Sequence, residues 1–216
     1  MGSQSFYNLS ATTASSRTIA STYIKQETMA YVGRLNYSYK GKYLLEASER
    51  YDGSSILSAG HKWHYFPAAS AAWNISEENF LKNVKQISQL KLRASYGQTG
   101  NAGLSAYATQ STVSTYPMGF GDNAATAYQF NGTVGNLLLG WEMSKILDIG
   151  SDISLFRDRI TASVDWYNTN TTGILYTRTL PQSTGQTSVS QNVGTSVNRG
   201  IELGLNTRNI QNKNFQ

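Results

Sequence analysis

At 216 residues the chain has room for one all-β unit or two small domains. Charged residues make up 14% and aromatics 12%, with fourteen Tyr, nineteen Gly, three Pro and no Cys. That balance suits repeated strands with polar connections and excludes a disulfide framework or a thiolate metal site. The net charge of +5 is spread over scattered Lys and Arg, which argues against a nucleic-acid partner.

No apolar run reaches the ~20 residues of a membrane helix, and the first ten residues carry neither a basic nor an apolar signal region. Residues 1–26, rich in Ser, Thr and Ala, read as loop. Residues 31–51 alternate with period two: Tyr31, Leu35, Tyr37 and Tyr39 against Arg34, Asn36 and Ser38, then Tyr43, Leu45, Ala47 and Tyr51 against Glu46, Ser48 and Arg50. With Lys40-Gly41 between them, these are two strands of one hairpin. Glu49 is the misfit on its oily face and is placed near a rim.

A loop around 52–64 leads to a strand over 65–75. Ser76-Glu77-Glu78-Asn79, followed by Phe80, Leu81, Val84 and Ile87, predicts a short amphipathic helix across 76–88. Residues 90–97 return to strand. Residues 98–140 are Gly-, Ala-, Thr- and Asn-rich without sustained period. Strands follow over 141–155 and 159–168, joined by a turn at 156–158. A polar connection covers 169–196, a strand spans 197–207, and a turn at 209–214 precedes the start of an eighth strand at Phe215-Gln216.

These elements predict an all-β fold: an antiparallel up-and-down transmembrane β-barrel segment with about seven to eight strands of a larger barrel and one short periplasmic helix. Compact connections (40–41, 76–88, 156–158, 209–214) alternate with long ones (52–64, 98–140, 169–196). This is the pattern of periplasmic turns and extracellular loops. Most strands are longer than the ~5–6 residues of soluble sheets. Tyr31 and Tyr39, Tyr43 and Tyr51, and Tyr65 and Trp73 each sit eight apart, roughly 26 Å along a strand and about 20 Å of height at ~40° tilt. With Trp166 they are the expected aromatic girdle. The oily face then meets lipid, and Arg34, Arg93, Asp148, Asp152, Asp165 and Glu202 face the lumen.

The run Gly33-Arg34-Leu35-Asn36-Tyr37-Ser38-Tyr39-Lys40, then Tyr43-Leu44-Leu45-Glu46-Ala47, Arg50-Tyr51-Asp52-Gly53-Ser54-Ser55 and Leu90-Lys91-Leu92-Arg93-Ala94-Ser95-Tyr96-Gly97-Gln98-Thr99-Gly100-Asn101, resembles the SusC-like branch of TonB-dependent outer-membrane transporters. Trp73-Asn74-Ile75-Ser76-Glu77-Glu78, Asp165-Trp166-Tyr167-Asn168 and Asn198-Arg199-Gly200-Ile201-Glu202-Leu203 carry the same likeness in order. The resemblance implies a plugged barrel of about 22 strands, of which residues 27–216 are a part without the plug domain. It also implies uptake of oligosaccharides or peptides in the bacterial outer membrane, driven through TonB by regions outside this stretch, with a SusD-like surface lipoprotein as lid. It implies no cofactor.

His61 and His64, at i and i+3, read as a solvated loop rim rather than a metal pair. Gly119-Phe120-Gly121-Asp122-Asn123 lacks the strand–helix context of a phosphate loop. The lumen-face charges read first as cross-strand ion pairs of a hydrated wall, with substrate or plug contact as the sharper alternative. Tyr107, Tyr116, Phe120, Tyr128 and Phe130, in the longest loop, are candidates for stacking on a ligand. No nucleophile, base and orienter set is visible, so an enzyme is not expected. Two other readings stay open: a self-contained small barrel or adhesin, and a soluble carbohydrate-binding β-sandwich.

Overall fold

The computed structural model describes residues 23–120, 123–130 and 132–209. Most of the expected 1–26 loop, the eighth strand, Gly121 and Asp122 lie outside the described residues. Seven strands form one antiparallel sheet: β1 (Thr28–Tyr39), β2 (Tyr43–Ser54), β3 (Trp63–Asn74), β4 (Ile87–Asn101), β8 (Glu142–Leu155), β9 (Ile160–Thr172) and β12 (Thr195–Thr207). Its order follows the chain, so it is up-and-down, and β1 and β12 each pair on one side only. The sheet is open, a segment of barrel wall rather than a closed barrel.

The alternation read in the sequence is the geometry of the sheet. Tyr31 pairs with Tyr51 and Tyr51 with Tyr65, while Tyr39 pairs with Tyr43 and Tyr43 with Trp73. Like parities therefore meet across every ladder, and one continuous face collects most of the Tyr, Leu, Ile and Trp residues, with Leu44, Ile146 and Tyr167 on the other. That face is bare. Leu35 is 72% exposed, Leu203 76% and Leu205 74%.

At one end the strands are joined compactly. Lys40 and Gly41 take φ of 53° and 67°, and the Lys42 amide donates to the Tyr39 carbonyl at 3.0 Å. Positive φ at both central positions is the turn that matches the twist of a hairpin. Between β8 and β9, Phe156, Arg157 and Asp158 all have positive φ, and the Arg159 amide closes the turn on the Leu155 carbonyl.

The helix expected over 76–88 is not formed, and the described residues contain no α-helix. Instead a single 3-10 turn, Ile75–Glu77, is followed by successive turns up to β4. Two causes are visible. Asn74, at the N-cap, makes no cap bond, because its side-chain amide donates to the Gly41 carbonyl at 2.6 Å. Glu78 is drawn back to the strand ends by three donors, described below. A short span so anchored lacks the length that sustains a helix.

At the other end the long connections are not structureless. The stretch 98–140 holds the hairpin of β5 (Val113–Phe120) and β6 (Asn123–Phe130) and the short β7 (Thr133–Val134), and β4 extends into it as far as Asn101. The stretch 169–196 holds β10 (Leu175–Thr179) and β11 (Ser188–Asn192), which join β7 in a three-stranded sheet. These strands are short and rich in Thr, Ser, Ala and Asn, so they carry no sustained hydrophobic period.

Buried apolar side chains gather at this end. Leu57 and Leu139 are 1% and 0% exposed, with Ile56, Phe66 and Val189 also buried. The Ser58 amide donates to the Leu139 carbonyl at 3.2 Å, and Asn136 Nδ2 to the Ser190 carbonyl at 2.8 Å. Asn192 ties three segments: its Oδ1 accepts from the Gly140 amide, and its Nδ2 donates to the carbonyls of Gly140 and Gly173.

Candidate functional site

The polar face of the sheet is built around one guanidinium. Arg93 on β4 faces Gly150 on β8, which in turn faces Asp165 on β9. Because Gly150 has no side chain, the Arg93 fork reaches across β8. Its Nη2 lies 2.5 Å from Asp165 Oδ1, its Nη1 3.3 Å from Asp148 Oδ1 and its Nε 3.3 Å from Asp152 Oδ2. A Cβ at Gly150 would overlap Asp165 Oδ1 and come within 2.9 Å of Arg93 Cζ. One planar cation thus links three strands, which a lysine point charge could not do.

Four of the six lumen-face candidates are brought together here. Glu202 lies directly across from Asp165 in register and adds a like charge to the same face. Lys91 stands opposite Asp152, so the patch holds two cations against four carboxylates. Arg34 is elsewhere, 3.4 Å from Glu46 Oε1 on the neighbouring strand. The arrangement is a cross-linked, hydrated wall with an acidic surplus. It contains no nucleophile with an adjacent base, and no cluster of three or more His, Asp or Glu positioned for a metal occurs among the described residues.

The apolar face carries two rows of rings. Near the long loops Tyr31, Trp63, Tyr51 and Tyr65 stack in sequence, with centroids 6.1, 4.8 and 4.2 Å apart. Near the turns Tyr39, Tyr43 and Trp73 stack at 6.5 and 6.4 Å. Trp63 joins the first row although the sequence reading placed it in a loop; its parity with Tyr65 was the available signal. Trp166 stands apart from both rows, in register with Ile149 and Ile201. Glu49 pairs laterally with Gly33 and Pro67, two positions from Tyr51.

The row near the turns is anchored from outside the strands. Glu78 accepts from Lys42 Nζ at 2.7 Å, Tyr43 Oη at 2.8 Å and Trp73 Nε1 at 3.2 Å. The Lys42 ammonium, followed by the Tyr43 hydroxyl, holds the Glu78 carboxyl below its ordinary range. The same hydrogen bond to Glu78 raises Lys42, against the opposing effect of desolvation.

The loop aromatics do not form one platform. Tyr128 and Phe130 share a face of the β5–β6 ribbon with Val113, whereas Tyr116 lies on the opposite face with Met118. Phe120 closes β5. Tyr107 lies outside that ribbon, shortly before β5, at a φ of 66°, and lines a separate pocket of about 220 Å³ with Lys25, Glu27, Ser55, Ile56 and Thr109. His64 packs on Phe66 at 5.2 Å, and His61 lies near Gly140. Sequence reasoning missed Asn136 and Asn192. Isolated Asn residues in Gly/Ser-rich loops look like turn formers, and only the fold shows them bridging segments.

A family model described as TonB-dependent receptor-like, β-barrel, matches residues 2–216. The TonB-dependent receptor P3 of Formosa agariphila is 41% identical over 200 residues, covering 90% of this chain and 20% of that protein. The TonB-dependent receptor SusC of Bacteroides thetaiotaomicron is 34% identical over 198 residues, covering 87% of this chain and 19% of that protein. The solved structure of the RagAB peptide importer in its closed-closed state superposes with a TM-score of 0.78 at 28% identity, covering 86% of this chain and 20% of that one. The chain therefore spans about a fifth of the length of these relatives.

Proposed function

The chain belongs to the TonB-dependent receptor β-barrel family, in its SusC-like branch, and we propose that it is a stretch of wall from an importer that moves oligosaccharides or peptides across the outer membrane with TonB-derived energy. Proteins of this family reside in the bacterial outer membrane. In this reading the bare apolar face meets lipid and the two ring rows are the girdles at its boundaries. The Arg93 patch lines the lumen, the compact turns lie in the periplasm, and the loop layer lies outside the cell. Residues 27–216 are barrel; the plug and the TonB-contacting segment belong to other parts of the protein. A SusD-like lipoprotein is the lid.

The observation that carries this reading is the uncovered apolar face, continuous across seven strands whose opposite face holds the ion pairs. A soluble sandwich would bury that face against a second sheet. A peptide cargo is what the name of the RagAB importer suggests; an oligosaccharide cargo follows from the SusC-like resemblance. Catalysis is no part of the proposal.

The test is uptake by cells carrying or lacking the full-length receptor, supplied with an oligosaccharide mixture or a peptide mixture as sole carbon source. The expected result is growth on one class that requires both the receptor and TonB. Growth on both classes that is indifferent to the receptor, or uptake that persists without TonB, would sink the proposal.

A further inference from the structure

The turn edge beneath β1–β4 collects charge and an apolar tip that the wall does not use. The turn at 40–42 and the segment after β3 are fastened together: the Asn74 amide donates to the Lys42 carbonyl at 2.7 Å, and Glu78 holds Lys42 Nζ. The Lys82 amide donates to the Glu78 carbonyl at 3.0 Å, which places Lys82 one turn from that clamp. Phe80, between them, is 67% exposed.

Lys42 is neutralised by Glu78, but Lys40, Lys82 and Lys85 take part in no ion pair among the described residues. Lys40 lies 5.1 Å from the Tyr39 ring centroid, on the apolar face of the sheet. Through Tyr43 and Trp73, the Glu78 clamp is also on that face. Lys40 therefore sits directly below a row of rings, on the side that meets lipid, and the Glu78 clamp ties the segment that carries Phe80 and Lys82 to the same edge.

A large exposed aromatic in a lysine-bearing segment, tied through Glu78 to a row of rings, is the chemistry of a bilayer interface. The ring enters the acyl boundary while the ammonium groups reach phosphates. We propose that this edge is a headgroup site for an anionic phospholipid of the periplasmic leaflet, with Lys40, Lys82 and Lys85 as its cations and Phe80 as its apolar tip. The proposal rests on the orientation given under Proposed function.

The experiment uses the full-length receptor, reconstituted in vesicles of phosphatidylcholine with or without phosphatidylglycerol, re-extracted, and assayed for retained phospholipid. Heat-dependent gel mobility confirms that each variant has folded. The wild type is expected to retain phosphatidylglycerol preferentially, with the preference falling about fivefold for each lysine removed in K82Q/K85Q. F80S is expected to lower retention of both lipids while leaving the preference in place.

Equal retention of the two lipids by the wild type, or an undiminished preference in K82Q/K85Q, would overturn the proposal. So would loss of a co-purifying periplasmic protein in K82Q/K85Q with unchanged lipid. Orientation is read separately: K85C should resist a membrane-impermeant maleimide in intact cells. Labelling there would overturn the orientation itself, whatever the lipid assay shows.

Discussion

The wall and the loop layer above it bury apolar surface by opposite rules. In the wall, large side chains stand bare, as Leu35 and Leu203 do, and the polar face is where ordered contacts form. In the loop layer Leu57 and Leu139 are enclosed as in a water-soluble core, and Asn136 and Asn192 satisfy backbone groups around them. One chain therefore contains a region folded by exclusion from water and a region whose apolar side chains stand bare and, in the proposed reading, are solvated by lipid. Changes that are severe in one should be mild in the other.

The largest expected effect lies in the loop layer. Leu139→Ala removes a fully enclosed side chain, and such truncations cost about 2–5 kcal/mol. Because the wall does not depend on that core, the full-length receptor should keep its heat-dependent gel mobility. Limited proteolysis should meanwhile cut the 55–62 and 132–141 segments faster. Equal protection of those segments in wild type and variant would erase the distinction between the two regions.

Within the wall, neighbouring residues test the two faces directly. Ala69 lies on the apolar face between Ala47 and Tyr96, midway between Tyr65 and Trp73, and Ser70 on the polar face between Glu46 and Ser95. Ala69→Arg should cost about 2–4 kcal/mol, the range for a charge at mid-depth in lipid, and should reduce the folded receptor recovered from outer membranes. Ser70→Arg, placed beside Glu46, should be close to neutral. Equal loss in both variants would mean that the faces had been assigned wrongly.

What could be read in advance follows the same division. The seven wall strands were legible because a sheet with one apolar and one polar face imposes strict period-two alternation on long strands, as in 31–39 and 43–51. The ring rows were legible as eight-residue spacings, except for Trp63, hidden by the loop-like Gly60-His61-Lys62 before it. The Arg93 patch could be assigned to a face residue by residue. That one fork would reach three carboxylates depends on Gly150, whose meaning appears only when β4, β8 and β9 are in register. The loop layer was not legible, since β5–β6 and β7–β11–β10 are ribbons of small polar residues with no repeating burial. The helix at 76–88 failed for a local reason: helical spacing of Phe80, Leu81, Val84 and Ile87 cannot compete with the backbone carbonyls of the 40–42 turn, which hold Asn74, and the Lys42, Tyr43 and Trp73 side chains, which hold Glu78.

On the polar face, Arg93→Gln should be milder than the core truncation or the apolar-face arginine. Water reaches the patch, so the exposed part of each ion pair contributes little, and a loss of about 1–2 kcal/mol is expected from unfolding in urea. The remaining Asp148, Asp152 and Asp165 would repel one another, and Asp165→Asn added to Arg93→Gln should recover part of the loss. A double variant as unstable as the sum of the single ones would show that the two groups act independently.

The smallest effect is expected where the wall meets the turns, and it depends on pH. Glu78 is held below the ordinary carboxylate range, first by Lys42. Its contribution is therefore fully present above that range and is lost as pH falls through its depressed value. Lys42 is raised by the same bond, so its contribution is fully present below the ordinary lysine range and is lost only as pH rises through its elevated value. The clamp should thus be constant across neutral pH and loosen on the acid side first. Hydrogen exchange of the Leu81 and Lys82 amides, both bonded to the Glu78 carbonyl, reports this directly in the full-length receptor. Protection corrected for intrinsic exchange should drop on acidification in the wild type, while E78Q should begin lower and stay flat. An acid transition of equal size in E78Q would assign the titration to another group and leave the ring row near the turns held by stacking alone.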